Sequence, residues 1–249
     1  MRTLTNKKTD KPMIVVLVGQ SGAGKTTVAE AIELSKIASC TLLRNEVARR
    51  GLEDNHENIH AVAMDLISQD PAWQAKKVLQ IVDHCRQPFI FDGPRNPADI
   101  QFLLESGRKI EVVGIYSSRT TRYQRVLRRE QQPITKEQFM KRCVDEVIEA
   151  GLNNCLRLAT IYLFNNVDSL KDVRQCAISL MEAILLGNLP HMNFSFHGGM
   201  LEFEKFISTF PLLFTNSRKM CIMMKRYLNW EENQLRAYQK GEIPIEAFL

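Results

Sequence analysis

The chain has 249 residues, of which 45% are hydrophobic and 24% charged, and its formal net charge is +5. This composition is that of a globular protein, and the modest charge falls short of the dense basic patches of dedicated nucleic-acid binders, so nucleic acid is not an expected partner. The longest apolar run, Met13–Val18, is too short to span a bilayer. Six scattered cysteines and the lack of a signal peptide predict a reduced, cytoplasmic protein.

Strand-like and helix-like segments alternate along the chain, which is typical of a parallel sheet covered by helices. After a flexible tail over residues 1–12, we predict five strands: Met13–Val18, Cys40–Leu43, Pro88–Phe91, Ile110–Tyr116 and Thr160–Phe164. The stretches that separate them have a helical period: Lys25–Ile37, most of Arg44–Arg86, Pro97–Ser106, Ser118–Glu130, Thr135–Leu158 with a break at Gly151, and Ser169–Leu186. Crossovers of this length are what parallel strands require, so the predicted fold is α/β with a five-stranded parallel sheet flanked by helices.

The character of the sequence changes near Gly187, where we place a boundary between a main domain (13–187) and a helical C-terminal extension (188–249). Aromatic residues and methionines become frequent beyond it, and no strand-plus-turn pattern recurs. Two interpretations are open. The apolar stripes pack against the main domain, or they form an interface with a second copy or another protein.

The segment Gly19–Thr26 carries the strongest functional signal, because it matches the phosphate-binding loop motif G-x-x-x-x-G-K-[ST] between a strand and a helix. Glycines allow successive backbone N–H groups to surround phosphate oxygens, and the start of the helix adds a positive dipole. Lys25 reaches the β- and γ-phosphates, and the Thr26 hydroxyl is a ligand for Mg²⁺. The motif thus predicts ATP and Mg²⁺ as cofactors, bound by Gly19, Ser21, Gly22, Ala23, Gly24, Lys25, Thr26 and Thr27.

A second metal ligand is expected at the end of a neighbouring strand, as in other P-loop enzymes. Asp92 follows the run Phe89–Phe91 and is the candidate. The alternative is that this aspartate only starts the turn at Gly93-Pro94.

Arginines recur every three residues at 119, 122, 125 and 128, with Arg129 beside the last. On a helix this spacing gives a slowly winding basic stripe, which is often just a solvated surface. Near a phosphate-binding loop, such groups can also stabilise the charge of a migrating phosphoryl group. We therefore predict catalytic roles for Arg122, Arg128 and Arg129, and a structural or solvent-facing role for Arg119.

Four features of the sequence carry a resemblance to a known family: the phosphate-binding loop, the segment Asp92-Gly93-Pro94-Arg95, the basic helix and the Asn165-Asn166 turn. By these features the sequence resembles the nucleoside monophosphate kinase branch of P-loop kinases, in particular its adenylate-kinase-like and dephospho-CoA-kinase-like members. The resemblance covers about three-quarters of the chain, from residue 13 to 186. The Asp-Gly-Pro-Arg segment is a shortened form of the Asp-Gly-x-Pro-Arg segment of adenylate kinases.

This resemblance implies roles for several further residues. Arg95 and Arg44 would bind the phosphate of the acceptor, and the turn at Asn165 and Asn166 would border the adenine. The lid arginines of the family map onto Arg128 or Arg129 and Arg142, next to a short lid loop over residues 130–134.

The function that follows is an ATP-dependent phosphotransferase for a small, phosphate-bearing acceptor, with a nucleoside monophosphate as the leading candidate. An acceptor phosphate needs positioning but no base, whereas a hydroxyl usually needs a carboxylate that accepts its proton. In the kinases that this sequence resembles, such an acid stands at the end of the second strand. The corresponding stretch here, Ser39–Leu43, contains no acid, although Asp65 or Asp92 could substitute. The alternatives are a hydroxyl-acceptor kinase of the dephospho-CoA or nucleoside type, and a non-catalytic ATP-sensing protein that acts through residues 188–249.

Overall fold

The structure is a computed structural model that describes residues 11–129, 134–190 and 195–248. Its centre is a six-stranded sheet in the order β2-β3-β1-β4-β5-β6. The strands are β1 (Ile14–Val18), β2 (Ser35–Ala38), β3 (Phe89–Asp92), β4 (Ile110–Tyr116), β5 (Ile161–Asn165) and β6 (Leu212–Thr215). Strands β1 to β5 are parallel, and β6 pairs antiparallel with β5. The predicted α/β fold with a parallel sheet flanked by helices is confirmed.

The helices supply the crossovers between the parallel strands. They are α1 (Lys25–Ala31), α2 (Ser39–Arg49), α3 (His56–Gln69), α4 (Trp73–Val82), α5 (Pro97–Glu105), α6 (Arg119–Arg129), α7 (Lys136–Val144), α8 (Leu152–Arg157), α9 (Leu170–Leu186), α10 (Met200–Ser208) and α11 (Arg218–Gln239). A π-helical turn over Asp145–Glu149 follows α7, and a 3₁₀ turn over Ile245–Ala247 follows α11. The expected break at Gly151 is present, because this glycine adopts a left-handed conformation with φ 65° before α8.

The second strand lies earlier than predicted. It is Ser35–Ala38, and the predicted Cys40–Leu43 belongs to the first turns of α2. The strand occupies the edge of the sheet, and its residues are exposed or half-buried. An edge strand needs no continuous apolar run, so its sequence carries a weak signal. The predicted helix Lys25–Ile37 accordingly ends at Ala31.

The predicted number of five strands is wrong, because the C-terminal segment adds β6 to the sheet. This strand has four residues and is formed by its pairing with β5, for example Leu163 opposite Phe214. Such a short segment has little intrinsic preference that could be read from the sequence. The region beyond residue 187 is therefore not purely helical.

The core is divided between the two faces of the sheet. Alternating residues of β1 point to opposite sides: Val15 and Leu17 pack with α1 and α9, whereas Ile14 and Val16 pack with a cluster that includes α4, α5 and α8. Helices α10 and α11 complete the second cluster with buried residues such as Phe203, Met220, Met224 and Tyr227. The C-terminal segment thus shares a core with the sheet.

The carboxyl ends of the parallel strands bring the predicted functional residues to one edge of the sheet. There, β1 leads into the Gly19–Thr26 loop, β3 ends at Asp92 and β5 ends at Asn165. In open α/β sheets, ligands bind at this edge. Residues 1–10 of the predicted tail and residues 130–133 of the predicted lid loop lie outside the described residues. Across the described residues, no helix combines the length and apolar character that a membrane crossing needs.

Candidate functional site

The loop between β1 and α1 has the backbone conformation of a phosphate-binding loop. Gly22 and Gly24 have φ values of 81° and 97°, in the left-handed region that favours glycine. Gly22 also lies against α6, since a Cβ atom on this residue would be 2.8 Å from the carbonyl oxygen of Arg122. Glycine is therefore required at position 22 for both backbone conformation and space.

Side chains from α6 and β5 bind the carbonyl groups of the loop. Arg122 donates to Ser21 O (3.4 Å), Arg125 to Gly22 O (3.2 Å) and Asn165 to Ala23 O (2.9 Å). With these carbonyl groups engaged, the N–H groups of Gly24, Lys25 and Thr26 are left without an acceptor among the described residues. Free N–H donors at a helix start form an anion-binding site.

Lys25 lies at the start of α1, where the charges of Glu146 and Asp92 act on it. Its Nζ donates to the carbonyl oxygen of Gly19 at 2.6 Å. Burial lowers the pKa of Lys25, while the charges of Glu146 and Asp92 act in the opposite direction. The ammonium group therefore donates to a loop carbonyl and is stabilised by the charges of two acids, and a phosphate group would provide the same stabilisation.

Asp92 fits a metal-binding role. Its Oδ1 atom is buried and has no hydrogen-bond partner among the described residues, which is costly for a carboxylate. Burial raises the pKa of Asp92, and Lys25 opposes this effect. Thr26 and Asp92 line the same cleft of about 270 Å³, together with Glu30, Lys36 and Thr41. A hydroxyl group beside an unsatisfied carboxylate is a donor set that suits Mg²⁺, so the residues present fit this ion.

Glu146, in the π-helical turn, is a site residue that the sequence analysis missed. Its Oε2 accepts the Ser21 N–H at 2.9 Å, and its Oε1 accepts the Ser21 hydroxyl at 2.5 Å. The same carboxylate lies 3.6 Å from Nη2 of Arg95. The Glu146 carboxylate thus binds the rim of the phosphate loop and also lies beside Arg95, the arginine expected to hold the acceptor. Insertions of π-helical turns often occur at functional sites, but they have no clear sequence signature.

The arginines of α6 lie in different environments, from the buried core to the exposed surface. Arg119 and Arg122 are buried and lie beside Glu231 of α11 at 3.3 and 3.9 Å. Arg125 is half-buried and binds the loop. Arg128 is exposed and pairs with Asp168 at 3.1 Å. The predicted site residues Arg129 and Arg142 are exposed, at the end of α6 and in α7.

The two predicted acceptor-binding arginines lie in different environments. Arg95 follows β3 and faces Glu146, so it lies beside the loop. Arg44, in α2, is exposed and pairs with Asp54 at 3.4 Å. Among the residues that the structure describes, no contact joins Arg44 to the loop.

The asparagines at the end of β5, Asn165 and Asn166, support the loop and the C-terminal segment. Asn165 is buried and binds Ala23 O, whereas Asn166 accepts the N–H of Ser118 at 2.7 Å and donates to the carbonyl oxygen of Phe210 at 2.9 Å. The predicted place of both residues beside an adenine stays a prediction.

Alanine at position 22 is expected to weaken binding of MgATP by about tenfold or more, because the new methyl group forces the loop away from α6. The left-handed backbone adds about 1–2 kcal/mol of strain. The matched control is Gly51→Ala, since Gly51 has φ 68° but no atom within 4 Å of an added Cβ. Calorimetric titration gives the MgATP affinity of both variants, and thermal unfolding gives their stability. Together they separate the effect of the clash with Arg122 from that of the left-handed backbone. Equal MgATP affinities for the two variants would contradict the packing argument.

The strand, the phosphate-binding loop, the helix and the aspartate at the end of the adjacent strand place this chain in the P-loop class of α/β proteins. Within this class, the chain belongs to the zeta toxin family, whose model matches residues 1–168. Residues 169–249, including α10, β6 and α11, lie outside that range.

The chain is also similar to other proteins and to solved structures. The chain is 29% identical to the "UPF0200 protein" of Aeropyrum pernix over 182 residues, which is 72% of this chain and 97% of that protein. It is 27% identical to the "UPF0200 protein" of Pyrococcus furiosus over 183 residues, 68% of this chain and 97% of that one. The shikimate kinase of Bacteroides thetaiotaomicron is 14% identical, with a TM-score of 0.43 over 68% of this chain and 98% of that chain. A gluconokinase of Sinorhizobium meliloti is 13% identical, with a TM-score of 0.38 over 71% and 98% of the two chains.

Proposed function

We propose that this protein is an ATP- and Mg²⁺-dependent phosphotransferase. The observation that carries the proposal is the arrangement around the loop: N–H groups without an acceptor, the Lys25 ammonium and the unsatisfied Asp92 carboxylate all lie at one edge of the sheet. These are the parts that phosphoryl transfer needs, since this chemistry depends on positioning and charge stabilisation.

Each group has a role that follows from its position. The loop N–H groups and Lys25 would hold the β- and γ-phosphates, and Thr26 and Asp92 would hold Mg²⁺, which neutralises charge on the phosphates when bound. Arg125 keeps the loop carbonyl of Gly22 turned away from the phosphates. The exposed arginines Arg128, Arg129 and Arg142 are candidates for closing over the donor phosphates.

The acceptor we favour is a small molecule that carries a phosphate group, such as a nucleoside monophosphate. Arg95 supports this choice, because its guanidinium group lies within 4 Å of a carboxylate at the loop rim and is otherwise exposed. An acceptor phosphate can replace that carboxylate as the partner of Arg95. Arg44 would need to move toward the loop to contribute, since its partner here is Asp54.

A hydroxyl acceptor is the second candidate, and Glu146 is the observation that favours it. A hydroxyl nucleophile needs a carboxylate near the γ-phosphate position, and Glu146 lies between Ser21 and Arg95. The earlier candidate Asp65 is bound to Arg50 at 2.7 Å. The two acceptor types therefore depend on different residues, Arg95 in one case and Glu146 in the other.

The deciding experiment incubates purified full-length protein with MgATP and a panel of acceptors: nucleoside monophosphates, nucleosides, dephospho-CoA and phosphorylated sugars. The products are resolved chromatographically. We expect ADP formation that depends on one acceptor class. MgATP binding without stimulated turnover by any acceptor would contradict the phosphotransferase proposal and favour a nucleotide-sensing protein.

The isosteric change Glu146→Gln is expected to increase the affinity for MgATP by roughly three- to tenfold. The carboxylate of Glu146 competes with phosphate for the Ser21 N–H, and a neutral amide competes less well. Titration calorimetry measures the change, and Glu149→Gln, an exposed residue of the same turn, is the control. An unchanged or lower affinity in Glu146→Gln would refute the competition.

A further inference from the structure

Helix α11 places a buried carboxylate next to the phosphate loop. Glu231 is 2% exposed, and it lies on the apolar face of the helix with Met224, Leu228 and Leu235. It belongs to the C-terminal segment outside the matched family range of residues 1–168. The chemistry proposed above gives this residue no role, although a buried charge is costly unless its partners compensate for desolvation.

The two oxygens of Glu231 have separate sets of partners. Oε2 accepts hydrogen bonds from the side-chain amides of Gln20 (3.0 Å) and Asn153 (3.2 Å). Oε1 lies 3.3 Å from Nη2 of Arg119 and 3.9 Å from Nη2 of Arg122. Both arginines are buried, and Glu231 compensates for both cations, while Arg119 also lies 3.9 Å from Glu204.

These contacts reach the loop at two consecutive residues. Gln20, the second residue of the motif, is held directly by Glu231. Ser21 is held through Arg122, whose Nη1 donates to the Ser21 carbonyl oxygen at 3.4 Å. Asn153 completes the arrangement, because its Oδ1 accepts a second bond from the Gln20 amide at 3.3 Å and its Nδ2 donates to the Leu228 carbonyl of α11 at 3.0 Å.

Charge also favours a role of Glu231 in holding the two buried arginines. Burial by itself would lower the pKa of Arg119. The charges of Glu231, Tyr227 and Glu204 outweigh burial, so the pKa of Arg119 is raised. Without Glu231, two buried guanidinium groups would face each other with fewer anionic partners. Among the described residues, Arg122 would then keep only its long contacts with the Ser21 carbonyl oxygen (3.4 Å) and Cys143 Sγ (3.6 Å) and its place over the Phe139 ring.

We propose that Glu231 is a positioning residue of the nucleotide site, and that α11 is thereby a functional part of this site. Glu231 holds Gln20 and Ser21 in the conformation that leaves the loop N–H groups available to phosphate. This inference rests on the proposed function, since the ligand is MgATP. Because coupling between two parts of a protein is reciprocal, nucleotide binding also stabilises α11.

The test compares three variants of the full-length chain. Gln20→Leu removes the amide that Glu231 holds and leaves the arginine pairs in place. Glu231→Gln removes the charge. Glu232→Gln is the matched control, because the neighbouring glutamate pairs with Arg157 at 3.2 Å on a surface away from the loop. Amide hydrogen exchange of residues 19–24 without nucleotide reports loop position, and calorimetry reports the Kd for MgATP.

We expect Gln20→Leu to speed exchange in the loop and to raise the Kd for MgATP roughly tenfold, with a melting temperature close to wild type. Glu231→Gln should show the same changes with a lower melting temperature, and Glu232→Gln should show neither. The inference is overturned if Gln20→Leu, which keeps the buried ion pairs, leaves both loop exchange and Kd unchanged. If wild type binds no MgATP while Gln20→Leu still loosens the loop, the proposed function fails and the positioning role of Glu231 stands.

Discussion

Replacing Lys25 with alanine is expected to reduce acceptor-dependent ATP turnover by about 10²–10³-fold, the range seen when one charge-stabilising donor is removed from an active site. Lys25 starts the helix after the loop, and the charges of Glu146 and Asp92 act on its ammonium group. Its Nζ donates to the Gly19 carbonyl oxygen. With nucleotide bound, it is the cation positioned to follow the migrating phosphoryl group.

The measurement is ADP release at saturating MgATP with the acceptor identified from the panel. Lys76→Ala is a suitable control, since Lys76 forms a partly exposed ion pair with Asp70 at 2.6 Å, away from the loop. A melting temperature near the wild-type value would assign the loss to chemistry. Wild-type turnover in Lys25→Ala would remove Lys25 from the mechanism.

The second large effect is expected for Asp92→Asn, which should remove the dependence of nucleotide binding on Mg²⁺ and lower turnover by about 10²–10³-fold. An amide is a poorer ligand for Mg²⁺ than a carboxylate. The binding of ATP in the presence of EDTA should stay as in wild type, because the loop N–H groups are intact. Titrations with and without Mg²⁺ check both statements, and Asp172→Asn, at an exposed position in α9, is the control.

Stability provides an independent check on Asp92. Its pKa is raised in the folded protein, chiefly by burial, so the folded state holds the proton more tightly than the unfolded state. The stability contributed by the protonated form is therefore lost as the pH rises from the unfolded value of 3.8 through the folded value. At neutral pH without metal, Asp92→Asn should then unfold at the same temperature as wild type or higher. A clear decrease in melting temperature would show that the carboxylate has a stabilising partner.

The local part of the site could be predicted from the sequence, because each of its signals lies within a few residues. The motif Gly19–Thr26 follows a buried strand and opens a helix, and Asp92 follows an apolar run, so both positions at the edge of the sheet could be deduced. The break at Gly151 within the predicted helical stretch Thr135–Leu158 was predictable for the same reason, since glycine readily adopts the left-handed backbone found there.

The arginines of α6 show where a local pattern stops being informative. A step of three residues turns the side chain by about 60° around a helix, so the three steps from Arg119 to Arg128 distribute the stripe over different environments. Arg122 consequently lies in the core, whereas Arg128 is exposed. The spacing alone identifies the helix as basic, and only its packing determines which arginine meets the loop.

Contacts between distant segments could not be predicted. Glu146 reaches Ser21 across 125 residues, and Glu231 reaches Gln20 across 211. The edge strands β2 and β6 were misplaced or missed for the same reason, because their pairing depends on neighbours elsewhere in the chain. One signal was present for Glu231: it interrupts the apolar face of α11 at helical spacing from Leu228 and Leu235. A charge on such a face indicates a buried partner.

The central claim is that the Gly19–Thr26 loop binds the phosphates of a magnesium nucleotide. The most direct measurement is calorimetric titration of the purified full-length protein with ATP, with Mg²⁺ and with EDTA, repeated for Lys25→Ala. We predict saturable binding that Mg²⁺ strengthens and that the lysine substitution weakens by about tenfold or more. Folded protein that binds no purine nucleotide under either condition, or that binds equally well without Lys25, would contradict the claim.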